Sequence, residues 1–181
     1  MKRSLIVVPL ILATAFALAC QGKASRAELE KAKAQAKLEE QNKAIVQNYF
    51  TLADAGDFDA VARLYEPTTV FYSPSGSVRP VSGAEDIEIG KYYAKAIPDL
   101  SHRIEELLAT GDKVVARLVI KGTPKEPIEG FPPPGKSFEV SAIHIFTLKN
   151  GKIIEGRGEV DMLELMLQLG MELKPKEAAK K

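Results

Sequence analysis

The sequence has no tryptophan, a single cysteine (Cys20) and only two histidines in 181 residues. One cysteine excludes any disulfide within the chain. His102 and His144 have no ligand-like spacing, so no metal site is expected. No nucleophile-elbow motif and no phosphate-binding loop occurs, which removes the usual signatures of serine hydrolases and nucleotide-dependent enzymes. An excess of one charge is missing as well: Lys+Arg is 25 and Asp+Glu is 24. Such a balance gives no general electrostatic reason to bind nucleic acid. The one dense basic run, "KPKEAAKK" at the end, reads as a solvated tail.

What is present is enough apolar material, 45% of the chain, to bury a core. The first part of it has another use. "MKRSLIVVPLILATAFALAC" opens with Lys2 and Arg3, continues with an apolar run and ends on small residues before Cys20. This is the layout of a secretory signal, too short for a comfortable membrane span. "ALAC" resembles the lipobox of bacterial lipoproteins, although Leu is usual where this chain has Ala17. The resemblance implies lipidation at Cys20 and an exported, membrane-anchored protein. Gln21 after the cysteine implies the periplasmic face of the outer membrane if the cell has one. An ordinary cleaved signal with an incidental cysteine is the alternative.

Four segments follow from composition: a signal over 1–19, a lipidated start and helical spacer over 20–42, a folded domain over 43–170 and a charged tail over 171–181. "SRAELEKAKAQAKLEEQN" is rich in helix formers, and Ser25 with Glu28 fits a capping box. "KAIVQNYFTLADAG" spaces Ile45, Val46, Tyr49 and Phe50 as a buried helix face. Asp57 caps a short second helix, "TTVFYS" reads as a strand, and "AEDIEIGKYYAKAI" is a third helix stopped at Pro98. "PSGSVRPVSG" between them reads as a loop. The remainder is strand-like: Leu100–Ala109, Lys113–Lys121, Ser137–Leu148 and Ile153–Val160. Asn150-Gly151 is a tight-hairpin signal. "DMLELMLQLG" closes as a helix with Asp161 at its N-cap and Gly170 at its stop. Helices first and antiparallel strands second give an α+β class, with helices on one face of a curved sheet.

Five stretches in this order, "IPDLSH", "GDKVVARLVIKGT", "GFPPPGKSFEVSAIHIF", "NGKIIEGRGEVD" and "LMLQLG", resemble the SnoaL-like polyketide cyclase family of the nuclear transport factor 2-like superfamily. The resemblance implies a cone-shaped domain whose concave sheet and helices enclose an apolar pocket. It further implies, for the best-known members, an intramolecular aldol ring closure without metal or cofactor. A late aspartate is the acid/base in those members, and Asp161 matches it; His144 matches a histidine of the same pocket. A tryptophan is common in the family where this chain has Arg157, and a histidine or aspartate where it has Tyr72. Members often pair through the outer sheet face, which implies a homodimer.

The hairpin can be counted further. If Lys149 faces Lys152, then His144 faces Arg157, Phe146 faces Glu155 and Val140 faces Asp161, all on one face. That mixed face is assigned to the pocket, since such a pocket sets a few polar groups in an apolar wall. The face with Ile143 and Ile145 is then the outer one. In the alternative the isoleucines pack on the helices and the charges are solvated, and a bulge at Gly156 or Gly158 would flip the register. His144 and Asp161 lie four residues apart along the ladder, roughly 13 Å, which argues against a direct pair.

The site expected from these readings has Asp161 and His144 as catalytic candidates. Arg157, His102, Tyr72, Phe50 and Phe146 are candidates for holding a small apolar or carbonyl-containing ligand. Asp161 as general base competes with Asp161 as a plain helix cap. Two functions stay open: a cofactor-independent cyclase or isomerase, and a non-catalytic binding or carrier lipoprotein.

Overall fold

The structure, a computed structural model, describes the backbone of residues 7–72 and 79–174, with side chains from Arg26 onward. The expected signal sequence and the expected lipidation at Cys20 lie outside the described side chains. Two compact units divide the chain after Leu38. In the first, the described residues are helical throughout, with exposed ion pairs such as Glu30–Lys33 (3.0 Å). No helix among the described residues is long and apolar enough to cross a membrane.

Helix α1 runs unbroken over Val7–Asp54. This corrects the separate helix expected to start at Ser25: no glycine or proline lies between Gly22 and Gly56, so nothing interrupts the helical backbone. The second unit also starts earlier than Lys43. Glu39 accepts the Gly111 amide (2.9 Å), and Asn42, 3% exposed, donates to the Gly111 carbonyl (3.1 Å). Both residues therefore hold the turn between two strands and belong to the domain.

After α1 come α2 (Phe58–Ala62), β1 (Tyr65–Tyr72), β2 (Val81–Ser82), α3 (Gly83–Ala96), β3 (Ser101–Thr110), β4 (Lys113–Gly122), β5 (Phe138–Lys149), β6 (Lys152–Val160) and α4 (Met162–Leu169). Local chemistry sets several boundaries. Asp57 caps α2 through the Ala60 amide (3.0 Å), and Ser82 with Glu85 makes a complete capping box on α3. Ser82 also ends β2, a two-residue strand within the segment expected to be loop. Asn150 and Gly151 both take the left-handed conformation that a two-residue hairpin needs. Gly170 does the same after α4.

The fold is α+β. Six strands form one curved open sheet in the order β2-β1-β6-β5-β4-β3, antiparallel except where β1 meets β6. Its concave face packs against α1, α3 and α4, with Val46, Phe50, Leu118, Phe146 and Leu165 in one cluster.

The hairpin register is split. Lys149 faces Lys152 and Leu148 faces Ile153, as counted from the turn. Ile154 is then an extra residue, and from there the pairing moves by one: Thr147 with Glu155, Phe146 with Gly156, Ile145 with Arg157, His144 with Gly158. A bulge of this kind turns every later side chain of its strand to the other face. The expected His144–Arg157 and Phe146–Glu155 pairings are thereby corrected. So is Val140–Asp161: the Asp161 amide bonds the Ser141 carbonyl instead (3.1 Å).

Candidate functional site: a histidine-containing aromatic interior

Val140, Ala142, His144, Phe146 and Leu148 of β5 alternate onto the concave face, and α1 lays Phe50 across them. The Phe50 ring is 5.7 Å from His144, 5.8 Å from Phe146 and 5.3 Å from His102 at the start of β3. Phe146 stacks beside His144 as well, 6.1 Å away. Four of the expected site residues therefore come together: His144, His102, Phe50 and Phe146.

Burial governs His144. Its Nε2 is the one buried side-chain nitrogen or oxygen without a hydrogen-bond partner among the described residues. Burial, with a smaller contribution from nearby His102, pushes its pKa down to about 4. The ring is therefore neutral at physiological pH. Gly158 makes room for it: a Cβ there would come within 2.8 Å of the imidazole.

His102 is held by a residue the sequence reading did not single out. Asp54, at the last turn of α1, accepts from His102 Nδ1 at 2.6 Å and from the His102 amide at 2.9 Å. A carboxylate only accepts, so the Nδ1 proton is fixed and Nε2 becomes the basic nitrogen.

The other expected residues lie elsewhere. Arg157 projects from the opposite, solvent-facing side of the sheet, where it stacks on Tyr72 (3.7 Å) and bonds Glu155 (3.0 Å). The bulge at Ile154 turns Arg157 outward, and Tyr72 lies beside it on that side, on the face of β1 opposite buried Phe71. Asp161 is exposed and caps α4, accepting the Glu164 amide at 2.9 Å. The carboxylate expected to face the interior is thus committed to a helix end.

Asp86 and Tyr65 were not among the expected site residues. Tyr65 donates to Asp86 at 2.7 Å inside the domain. Asp86 lies on the stripe of α3 that includes Gly90 and Tyr93. An acidic residue on an inward stripe was the available signal. Among the described residues no group of three or more His, Cys, Asp or Glu side chains is placed to hold a metal ion.

A sequence model of SnoaL-like polyketide cyclases matches residues 43–169. The chain belongs to that family. Among solved structures, a candidate SnoaL-like polyketide cyclase from Jannaschia sp. CCS1 superposes with a TM-score of 0.67 at 25% identity, covering 75% of this chain and 95% of its own. A SnoaL-like polyketide cyclase from Agrobacterium tumefaciens gives 0.60 at 21%, covering 70% and 95%. An LEH-like epoxide hydrolase from M. tuberculosis gives 0.60 at 14%, covering 72% and 90%. The last two share the fold only, and their names describe different reactions. No curated protein matches the chain. This SnoaL-like chain must therefore be read from its own residues.

Proposed function

We propose that this protein binds a small carbonyl-containing molecule in its aromatic interior and transfers a proton on it without a cofactor, in a reaction of cyclase or isomerase type. His144 Nε2 carries this reading. A buried polar atom without a partner costs about 1–3 kcal/mol, and a ligand oxygen bonded to it would recover that. Phe50 and Phe146 beside it select an otherwise apolar molecule. His102, oriented by Asp54, supplies a basic nitrogen at the same rings, which fits a proton acceptor. Asp161 supports the base role less well, because its carboxylate is solvated and already accepts an amide.

A carrier function is the second reading, and the commitment of Asp161 to its helix cap favours it. Mass spectrometry of small molecules that copurify with the mature domain separates the two. Incubation of the recovered ligand should give a new product with the wild type and none with His102→Gln. Unchanged ligand in both would establish the carrier.

We also propose that the chain is exported and anchored through a lipid on Cys20. Radiolabelled palmitate should enter the wild type and not Cys20→Ser; label on both would refute the anchor. Pairing through the outer sheet face completes the proposal. Leu108, Val115 and Ile145 form a continuous cross-strand row there, with Leu108 57% and Ile145 38% exposed. Sedimentation should give a dimer that Ile145→Glu dissociates, and a monomeric wild type would end that idea.

A further inference from the structure

Helix α4 is apolar on more than its buried side. Leu165 and Leu169 enter the core. Leu163 and Leu167, one turn apart, do not: they are 56% and 38% exposed. Met171 and Leu173 follow the Gly170 stop and are 42% and 66% exposed. The polar residues of the helix are occupied elsewhere. Gln168 exchanges two hydrogen bonds with the Glu139 backbone of β5 (2.8 and 3.1 Å) and donates to Glu164 (2.8 Å). None of the four exposed apolar side chains serves the core or the histidine site. Exposed apolar side chains grouped in this way mark a contact surface.

The charges at this end of the domain are mostly of one sign. The Lys136 ammonium lies over Gly170, where an added Cβ would strike it. Lys174 follows Leu173 and pairs only loosely with exposed Glu172 (4.0 Å). Lys176, Lys180 and Lys181 come next in the chain. Residues 171–181 hold four lysines and two glutamates, a net charge of +2, whereas the whole chain carries +1, so the rest is at −1. The basic end thus departs from the balance of the remaining chain.

The composition of the surface selects its partner. Protein interfaces are anchored by tryptophan, tyrosine and arginine, and the exposed edge of α4 offers none of them. Leucine and methionine beside lysines suit a lipid surface, where aliphatic chains enter the headgroup boundary and ammonium groups meet lipid phosphates. A second copy fits less well, because a two-fold contact along α4 would bring two lysine clusters together. We propose that the exposed edge of α4 and the lysines at its end dock the domain on an anionic lipid bilayer. This contact requires neither a lipid on Cys20 nor a ligand in the interior.

The test uses the mature chain begun at residue 20 with Cys20→Ser, so that no acyl anchor takes part. It is mixed with vesicles of phosphatidylcholine containing about 30% phosphatidylglycerol and floated at about 50 mM salt. The wild type should float with these vesicles, stay behind with pure phosphatidylcholine, and be released at about 500 mM salt. Leu163→Glu combined with Leu167→Glu should weaken binding roughly tenfold or more. Lys136→Gln combined with Lys174→Gln should weaken it about fivefold per lysine. All four side chains are exposed, and circular dichroism melts check that the variants fold. The lipid and salt comparisons on the wild type decide the matter without any variant. A wild type that ignores anionic vesicles, or binds neutral ones equally, overturns the proposal. Binding unchanged in the folded leucine variant overturns it too. A dimer in sedimentation that survives Ile145→Glu but is lost in the leucine variant would show that a second copy covers the stripe, and also overturns it.

Discussion

Strands β5 and β6 pair from Ala142 to the turn, yet only one of them keeps its phase. On β5 the inward positions from Phe138 to Leu148 are all even-numbered. On β6 the inward residue next to the turn is Ile153, and beyond Ile154 the inward residues are Gly156 and Gly158. One inserted residue separates the two patterns. It places Glu155, Arg157 and Glu159 toward solvent and leaves glycines beneath the rings of Phe71 and His144. Charge and aromatic bulk are thereby sorted to opposite faces, at the cost of one irregular ladder step. The lesson is that strand alternation carries across a hairpin only as far as the first bulge.

Inserting one residue between Gly156 and Arg157 would break this contrast most severely. Arg157 would then face His144 and Glu159 would face Ala142, so two charged side chains would be driven into the core. Burying them costs several kcal/mol each, so no cooperative thermal transition is expected by circular dichroism. A native-like melt of the insertion would contradict the assignment of the two faces.

Gly156→Ala comes next. The added methyl would collide with the Phe71 ring, which is itself buried, and a destabilisation of about 3 kcal/mol is expected from urea unfolding. Glu159→Ala on the other face should change stability by less than about 0.5 kcal/mol. Similar values for the two would show that both positions face the same environment.

The His144→Phe variant sharpens the comparison through pH. The folded imidazole has its pKa lowered to about 4, so from about 6.5 downward the unfolded chain binds a proton that the folded chain refuses. Wild-type stability attributable to this residue is present above pH 6.5 and lost as pH falls toward 4, by up to about 3 kcal/mol. Asp86 works in the opposite sense, because its raised folded pKa of about 6 favours the folded state on acidification between about 4 and 6. The net wild-type curve therefore hides both effects. The stability of His144→Phe relative to wild type should rise steadily from pH 7 to pH 4.5, and a constant difference would contradict a neutral buried ring.

Arg157→Ala should have the smallest effect. The guanidinium is half exposed and gains only its stacking on Tyr72 and a solvent-screened surface pairing with Glu155, so the unfolding midpoint should barely move. Affinity for the interior ligand should be unchanged. A large loss would return Arg157 to the pocket.

Much of the fold was legible because its signals are local. Asp57, Asn150, Gly151 and Gly170 act on groups within four residues of themselves, so their turns and caps follow from the sequence. Phe50, Phe146 and His144 were legible as pocket candidates because apolar spacing and the family motif pointed the same way. Arg157 was misplaced by one bulge, and Asp54 was passed over because its partner His102 lies 48 residues away.

By itself, the sequence determined the element order, the α+β class, the tight hairpin at Asn150-Gly151 and the helix cap at Asp161, since each rests on short-range hydrogen bonding or on the period of a helix or strand. The tertiary structure alone decided which side of β6 its charges occupy. It also placed Asp86 and Tyr65 together inside the domain, and His102 against Asp54. These outcomes depend on register and on contacts between distant segments, and neither leaves a periodic trace along the chain.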